Sequence, residues 1–146
     1  MSTLAENRQA RFDYDILENY EAGIMLSGRE VKAVRNGQIN LKGSYVVFTS
    51  GNPTLLNAHI SPYAFSGQSA AYDPTQSRRL LLKKREIDYL RGKLEEKGLT
   101  IVPLSVYTSK HLIKVKIGLA KGKQLHDKRE TIKKRDLDRD IKRETE

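Results

Sequence analysis

Long stretches of this sequence alternate apolar and polar side chains, and that alternation constrains the fold more than any other feature. Between residues 11 and 26, apolar side chains stand at every second position over most of the length. Successive side chains of a strand point to opposite faces of a sheet, so a period of two indicates a half-buried strand. The segment predicts one long strand, or two strands joined at Glu18-Asn19.

Two further pairs of segments have the form of β-hairpins. Their strands are predicted at 44–49, 54–60, 100–107 and 112–119. Turn-forming residues at 50–53 join the first pair, and a second turn lies at 108–111. In the last of these strands Lys114 and Lys116 alternate with aliphatic residues, so we expect both lysines on one face of a sheet.

Short helices are predicted between the strands. Ser27 and Glu30 have the spacing of a capping box that starts a helix over 28–36. The segment 83–98 has apolar residues at helical spacing and ends at a glycine. Residues 61–77 have no sustained period and predict a long loop. Six or so antiparallel strands without a βαβ rhythm predict a mainly β fold with short helices, an OB-like antiparallel β-barrel with flanking helices.

Positive charge is concentrated in the second half of the chain. Residues 1–77 carry six basic and seven acidic side chains, whereas 78–146 carry 21 basic and 11 acidic, which accounts for the formal net charge of +9. Such a surface favours a polyanion, because neutralising phosphates releases counterions. Beyond residue 120 the apolar pattern stops. We therefore expect two parts: a barrel over 1–120, and a basic tail over 121–146 that is disordered alone and helical when bound.

Catalytic and metal-binding motifs are missing from the sequence. There is no cysteine, and the three histidines (His59, His111 and His126) lie in separate segments without the spacing of metal ligands. The run from Gly118 to Gln124 lacks both the spacing and the hydroxyl residue of a P-loop. The N-terminus has no apolar leader, and no apolar run is as long as a membrane span. We expect a cytoplasmic, monomeric binding protein that needs no cofactor and is not an enzyme.

Several segments together resemble small protein B, the family of SsrA-binding proteins of bacterial trans-translation. Among them are Asn7-Arg-Gln-Ala-Arg11, Tyr20-Glu-Ala-Gly23, Gly28-Arg-Glu-Val-Lys32, Arg79-Leu-Leu-Leu82, Lys114-Val-Lys-Ile-Gly118 and Lys121-Gly-Lys-Gln-Leu-His-Asp-Lys-Arg129, and the last two form the most specific run. The resemblance runs from residue 7 to residue 136 in unbroken order. It implies an OB-like body that binds the tRNA-like domain of transfer-messenger RNA (tmRNA) and delivers it to stalled ribosomes. The tail would enter the empty mRNA channel near the decoding centre and 16S rRNA. Elongation factor Tu and alanyl-tRNA synthetase would be indirect partners.

The resemblance also implies two sets of RNA-binding residues. For the tRNA-like domain the candidates are Asn7, Arg8, Arg11, Glu21, Lys32, Leu81, Lys114 and Lys116. For the ribosome they are Lys121, Lys123, His126, Asp127, Lys128, Arg129, Lys133, Lys134 and Arg135. Two of these candidates could instead have a role that does not involve RNA. Glu21 could be an exposed strand residue, and Leu81 could be a core leucine within the run Leu80-Leu-Leu82.

A different function stays open at this point. An OB-type protein that binds ribosomal RNA permanently, as ribosomal or initiation proteins do, would share the body and its charge. A ribonuclease is a third class, but the residues contain no catalytic constellation that supports it.

Overall fold

Strands dominate residues 2–62 and 72–123, the part of the chain that the computed structural model describes. The strands are β1 (Ser2–Glu6), β2 (Tyr14–Ile24), β3 (Ile39–Asn40), β4 (Tyr45–Thr49), β5 (Asn52–Leu56), β6 (His59–Ile60), β7 (Arg78–Leu81), β8 (Leu99–Ser109) and β9 (Leu112–Gly122). The helices are α1 (Arg8–Asp13), α2 (Gly28–Arg35) and α3 (Lys84–Leu94). The prediction of a mainly β fold with short helices is confirmed.

Six strands close into a ring. Their order is β8-β4-β5-β7-β2-β9, and the pairing of β9 with β8 completes the circle. Every pairing in the ring is antiparallel. Strand β1 pairs with β8 as an additional strand, while β3 and β6 form a small sheet of their own.

The first alternating segment forms one strand rather than two. Strand β2 pairs with β9 along almost its whole length, and the register skips Leu17, which bulges out and is 53% exposed. The strand begins at Tyr14, three residues later than the alternation suggests, because residues 8–13 form α1. Neither α1 nor β1 was predicted.

Both hairpin turns are tight and contain two residues in the left-handed region. Ser50 and Gly51 have φ values of 50° and 81°, and Lys110 and His111 have values of 49° and 66°. Positive φ at both central residues matches the right-handed twist of the flanking strands. The first turn is shorter than predicted, since Pro53 already belongs to β5 and is buried.

The apolar side of the ring forms the main core. Fully buried members include Leu55, Ile60, Leu80, Ile101 and Ile117. A second, smaller cluster comprises Ala10, Val102, Leu104 and Ala120 and lies where α1 packs on β8. Adjacent strand residues such as Ile101 and Val102 belong to different clusters. This part of β8 is therefore buried on both faces, which explains its nearly continuous apolar sequence.

The predicted helix starts and stops are largely confirmed. Ser27 and Glu30 form the reciprocal capping box, with the Ser27 hydroxyl accepting from the Glu30 N–H at 3.2 Å. Gly37 follows α2 with φ of 75°. Helix α3 is shorter than predicted and ends at Leu94, while its residue Leu90 is fully buried.

A buried ion pair joins α2 to β7. The Arg78 guanidinium lies 2.7 Å from Glu30, and the two side chains are 2% and 4% exposed. Arg78 also donates to the carbonyl oxygens of Ala58 and Pro74. The Arg78 guanidinium therefore links α2 to the chain before and after the segment 63–71. That segment lies outside the described residues.

The last strand extends beyond the predicted end of the barrel. Strand β9 continues to Gly122, and the N–H of Lys123 donates to the carbonyl oxygen of Asp13 at 2.9 Å. Lys121, assigned to the tail from the sequence, thus lies on the strand and pairs with Leu99 and Asp15. The tail candidates from His126 to Arg135 lie outside the described residues. Among the described helices, none is long and apolar enough to cross a membrane.

Gly118 lies between side chains of the two strands that flank β9, which leave no room for a side chain of its own. A Cβ added there would lie 2.9 Å from Ile16 Cγ2 and 3.0 Å from Leu104 Cδ1. We expect Gly118→Ala to lower the free energy of unfolding by roughly 1–3 kcal/mol because the buried cluster is overpacked. Gly122→Ala on the same strand is the control, since nothing lies within 4 Å of its added Cβ. Urea denaturation measures both variants, and equal stabilities would contradict the packing argument.

Candidate RNA interface

Three charged candidates meet on the face of the sheet opposite the main core. In the register of β2 and β9, Glu21 lies opposite Lys116 and Gly23 lies opposite Lys114. On the other side of β9, Tyr107 of β8 pairs with Lys114. We refer to Glu21, Lys114, Lys116 and Tyr107 as the charged face. Their strand neighbours Ala22, Val106, Val115 and Ile117 are buried in the core.

Leu81 lies at the edge of the charged face and not in the core. It is 53% exposed, whereas its neighbour Leu80 is 1% exposed. Leu81 pairs with Gly23, and a Cβ on that glycine would lie 3.3 Å from the Leu81 Cβ. The glycine thus leaves room for the leucine to lie across β2. The structure excludes the core alternative and leaves an apolar side chain beside the lysines.

A tyrosine holds the carboxylate of Glu21. The Tyr107 hydroxyl donates to Glu21 Oε2 at 2.5 Å. Burial of the ring and this hydrogen bond together raise the pKa of Tyr107 to about 12. The hydroxyl therefore stays protonated and remains a donor at neutral pH. Glu21 is exposed, but its carboxylate is held in place.

Lys114 and Lys116 present positive charge on one face of the sheet. Both are partly buried, which fits aliphatic stems that lie against the sheet. Within residues 2–62 and 72–123, neither ammonium group has a hydrogen bond or an ion pair. Two uncompensated cations on a rigid sheet suit the positioning of phosphates.

A groove of about 390 Å³ opens beside these residues. Its walls come from β1, β2, β8 and β9, and they include Thr3, Asn19 and Ser105 besides Glu21, Tyr107 and Lys116. Its lining, which includes Tyr20, combines apolar surface with hydrogen-bonding groups and a cation, and this suits a ligand that has an apolar face and polar or anionic edges.

Asn7 has a structural position that the sequence did not reveal. It is 4% exposed, and its Nδ2 donates to the carbonyl oxygens of Leu41 and Pro103. Its Oδ1 accepts from the N–H of Ala10, which caps α1. With every side-chain hydrogen-bonding atom engaged within the protein, Asn7 positions α1 and lies beneath the surface. A direct RNA contact from Asn7 stays a prediction, and this geometry does not favour it.

Arg8 and Arg11 lie exposed on α1, which Asn7 holds in place. They are near the end of β9, since Lys123 Nζ lies 3.4 Å from the Arg11 carbonyl oxygen. We refer to Arg8, Arg11, Lys121 and Lys123 as the α1 cluster. Six residues along β2 separate the Glu21–Lys116 pair from the Asp15–Lys121 pair, a distance of about 20 Å at strand spacing. The structure therefore divides the candidates into two patches.

Lys32 belongs to neither patch. It is exposed on α2, one turn before Arg35, whose Nη2 donates to the carbonyl oxygen of His111 at 2.7 Å. That bond places the end of α2 at the β8–β9 turn.

Tyr107 is the functional candidate that sequence reasoning missed. A two-residue turn at 110–111 pairs Tyr107 with Lys114 in the hairpin. A prediction of this shorter turn would therefore have placed Tyr107 beside the lysine. The hydrogen bond to Glu21 has no comparable signal, because the two residues are 86 positions apart.

Comparison with known proteins gives one consistent result. The family described as "SmpB protein" matches residues 4–146. An "SsrA-binding protein" of Gloeothece citriformis is 55% identical over 140 residues, covering 96% of this chain and 90% of the relative. One from a Synechococcus strain is 51% identical over 144 residues, with 99% and 94% coverage. A chain from the structural study "tmRNA-SmpB: a journey to the center of the bacterial ribosome" has a TM-score of 0.68 and 49% identity, covering 83% of this chain and 85% of that one.

Proposed function

Because the chain belongs to the SmpB protein family, we propose that it binds the tRNA-like domain of tmRNA and delivers it to stalled ribosomes for trans-translation. It acts as an RNA-binding protein and not as an enzyme. Its place of action would be the cytoplasm, where the stalled ribosomes are.

The observation that carries this proposal is the charged face. Two lysines without a partner among the described residues, a fixed carboxylate and an exposed leucine lie on adjacent strands of one rigid sheet. Lysines position phosphates, while a carboxylate accepts only from base or ribose donors. An apolar side chain such as Leu81 can contact the face of an unstacked base. The combination suits a folded RNA with unpaired bases better than a regular duplex.

The ring of six strands would serve as an OB-like barrel. Barrels of that type bind nucleic acid through one face and its adjacent loops. In this chain the charged face would contact the tRNA-like domain, and Arg8 and Arg11 on α1 would extend that contact toward the end of β9.

Residues at the end of β9 and beyond it would act on the ribosome. We assign Lys121 and Lys123, together with the tail residues His126, Asp127, Lys128, Arg129, Lys133, Lys134 and Arg135, to contacts with 16S rRNA near the decoding centre. The tail would fold into a helix in an mRNA channel that holds no message, which makes binding conditional on a stalled ribosome. Elongation factor Tu and alanyl-tRNA synthetase would act on the same tmRNA without a required contact to this chain.

A gel-shift comparison tests the choice of RNA. The full chain is titrated with the tRNA-like domain, with an elongator tRNA and with fragments of 16S rRNA at one salt concentration. We expect the tRNA-like domain to bind most tightly. Preference for a 16S fragment would contradict the proposal and favour a permanent ribosomal RNA-binding protein.

The salt dependence of binding tests the charged face itself. We expect Lys114→Ala with Lys116→Ala to reduce the slope of log K against log salt by roughly 1.5, since each lost phosphate contact removes about 0.7–0.9. Replacing Arg91 and Lys97 on and after α3 by alanine removes the same charge and is the matched control. Equal slopes for the two double variants would show that net charge, not the charged face, governs binding.

A further inference from the structure

The groove beside the charged face has a defined order of hydrogen-bonding groups. Lys116 supplies a donor without a partner among the described residues, and Glu21, directly opposite on β2, supplies a carboxylate. The two residues form no ion pair although they are cross-strand partners. The site therefore offers one donor beside two acceptor oxygens, and both residues line the same groove.

This order is complementary to the pairing edge of one nucleobase. Guanine presents O6 as an acceptor next to N1–H and N2–H as two adjacent donors. Adenine and cytosine each present only one amino donor on that edge, and uracil presents a single N–H between two acceptors. A carboxylate can accept two parallel hydrogen bonds, so guanine alone satisfies both oxygens and the lysine together. Unpaired bases of RNA are commonly read on this edge.

Tyr107 holds the Glu21 carboxylate in a position from which it can recognise the edge of a base. Its hydroxyl donates to Glu21 Oε2 at 2.5 Å, which fixes the side chain and leaves each oxygen with a free lone pair. Glu21 is an exposed glutamate that would otherwise sample several rotamers, and ordering it on binding would weaken the interaction. Tyr107 is thus a positioning residue, since it acts on the ligand through Glu21.

We propose that this groove binds a single unpaired guanine base of the partner RNA, with Glu21 accepting from N1–H and N2–H and Tyr107 holding Glu21. One N–H of Lys116 donates to O6, and its other two N–H groups stay available to a phosphate. This inference rests on the proposed RNA-binding function and adds a base preference to it.

The experiment compares two mononucleotides that differ by one amino group. The full-length, isotope-labelled protein is titrated with guanosine monophosphate and with inosine monophosphate, which lacks the N2 amino group, and backbone amide resonances are followed. We expect shifts at residues 21, 107 and 116, and roughly tenfold tighter binding of the guanosine nucleotide, as for one hydrogen bond to a charged group. Glu21→Gln should reduce the ratio of the two affinities to about one, since an amide offers a single acceptor.

Tyr107→Phe separates positioning from folding. We expect the ratio of the two affinities to fall several-fold while the thermal unfolding midpoint changes little. Tyr45→Phe removes a hydroxyl from a tyrosine outside the groove and should leave the ratio unchanged. Equal affinity of wild-type protein for both nucleotides, or guanosine monophosphate shifts outside the groove only, overturns the proposal.

The gel shift with the tRNA-like domain distinguishes failure of the guanine site from failure of the proposed function. If that RNA binds but the nucleotides are not discriminated, the guanine site is wrong and the proposed function stands. If the nucleotides are discriminated but the RNA is not bound, the base site stands and the proposed partner is wrong.

Discussion

Replacing Arg78 with methionine is expected to lower the free energy of unfolding by roughly 3–5 kcal/mol, the usual effect of removing one partner of a buried ion pair. The substitution leaves the Glu30 carboxylate, 4% exposed, without its cation. It also removes the donors to the carbonyl oxygens of Ala58 and Pro74, at 2.6 and 2.9 Å. Chemical denaturation followed by circular dichroism measures the loss.

Arg79→Met is the matched control for this prediction. Arg79 is the next residue of β7, but it is exposed, and within the described residues its guanidinium bonds only the side chain of Asn52. We expect its loss to change stability by less than about 0.5 kcal/mol, as for most exposed sites. Adding Glu30→Gln to Arg78→Met should restore a large part of the loss, because glutamine keeps the capping box and removes the unpaired charge. No recovery in the double variant would show that the charge of Glu30 is not the cause.

The pH dependence of the same variant has a defined sign. Burial opposes ionisation of Glu30, but hydrogen bonds from the Ser27 N–H and from Arg78 outweigh it and lower the pKa of the carboxyl below its ordinary value. A lowered pKa in the folded state stabilises the protein above the unfolded value of about 4.3, and this contribution is lost as the pH falls through the folded pKa. Without Arg78, two of the contributions that oppose the effect of burial are lost, so we expect the pKa of Glu30 to rise. The stability difference between wild type and Arg78→Met should therefore shrink between neutral pH and the acid range.

Local pattern predicted most of the longer elements of this fold, but it missed α1 and β1 and could not give the arrangement of the strands. The hairpins, the capping box of α2 and the alternation of Lys114 with Val115 depend on residues that are close in sequence. Helix α1 depends on Asn7, whose amide bonds carbonyl oxygens 34 and 96 positions away. No window of sequence contains those partners, so the helix was not predicted, and its last three residues were assigned to the strand that follows.

The residues of the candidate site were likewise predicted only in part from the sequence. Family resemblance selected Glu21, Leu81, Lys114 and Lys116, and the register brings these four together. It also selected Asn7, whose role becomes clear only from its burial. A match to a family's sequence motif does not distinguish a residue that contacts the ligand from one that positions the helix or strand carrying the contact.

Ending the chain after Lys123 is expected to leave binding of the tRNA-like domain nearly intact and to abolish tagging on stalled ribosomes. The cut follows the last strand, whose final hydrogen bond joins the Lys123 N–H to Asp13. A cut after Ala120 would also remove residues of β9 that pair with β2 and β8, so it would confuse loss of the tail with damage to the body.

Charge balance makes this truncation a clean test. Residues 124–146 contain eight basic and seven acidic side chains, so their removal changes the net charge from +9 to +8. A loss of tagging could not then be explained by weaker general attraction to RNA. A chain ending at Arg143, which lacks only the acidic tip, is the control and should tag normally. Gel shift and a tagging assay on ribosomes stalled at the end of a message measure the two activities, and equal loss of both would contradict the division into body and tail.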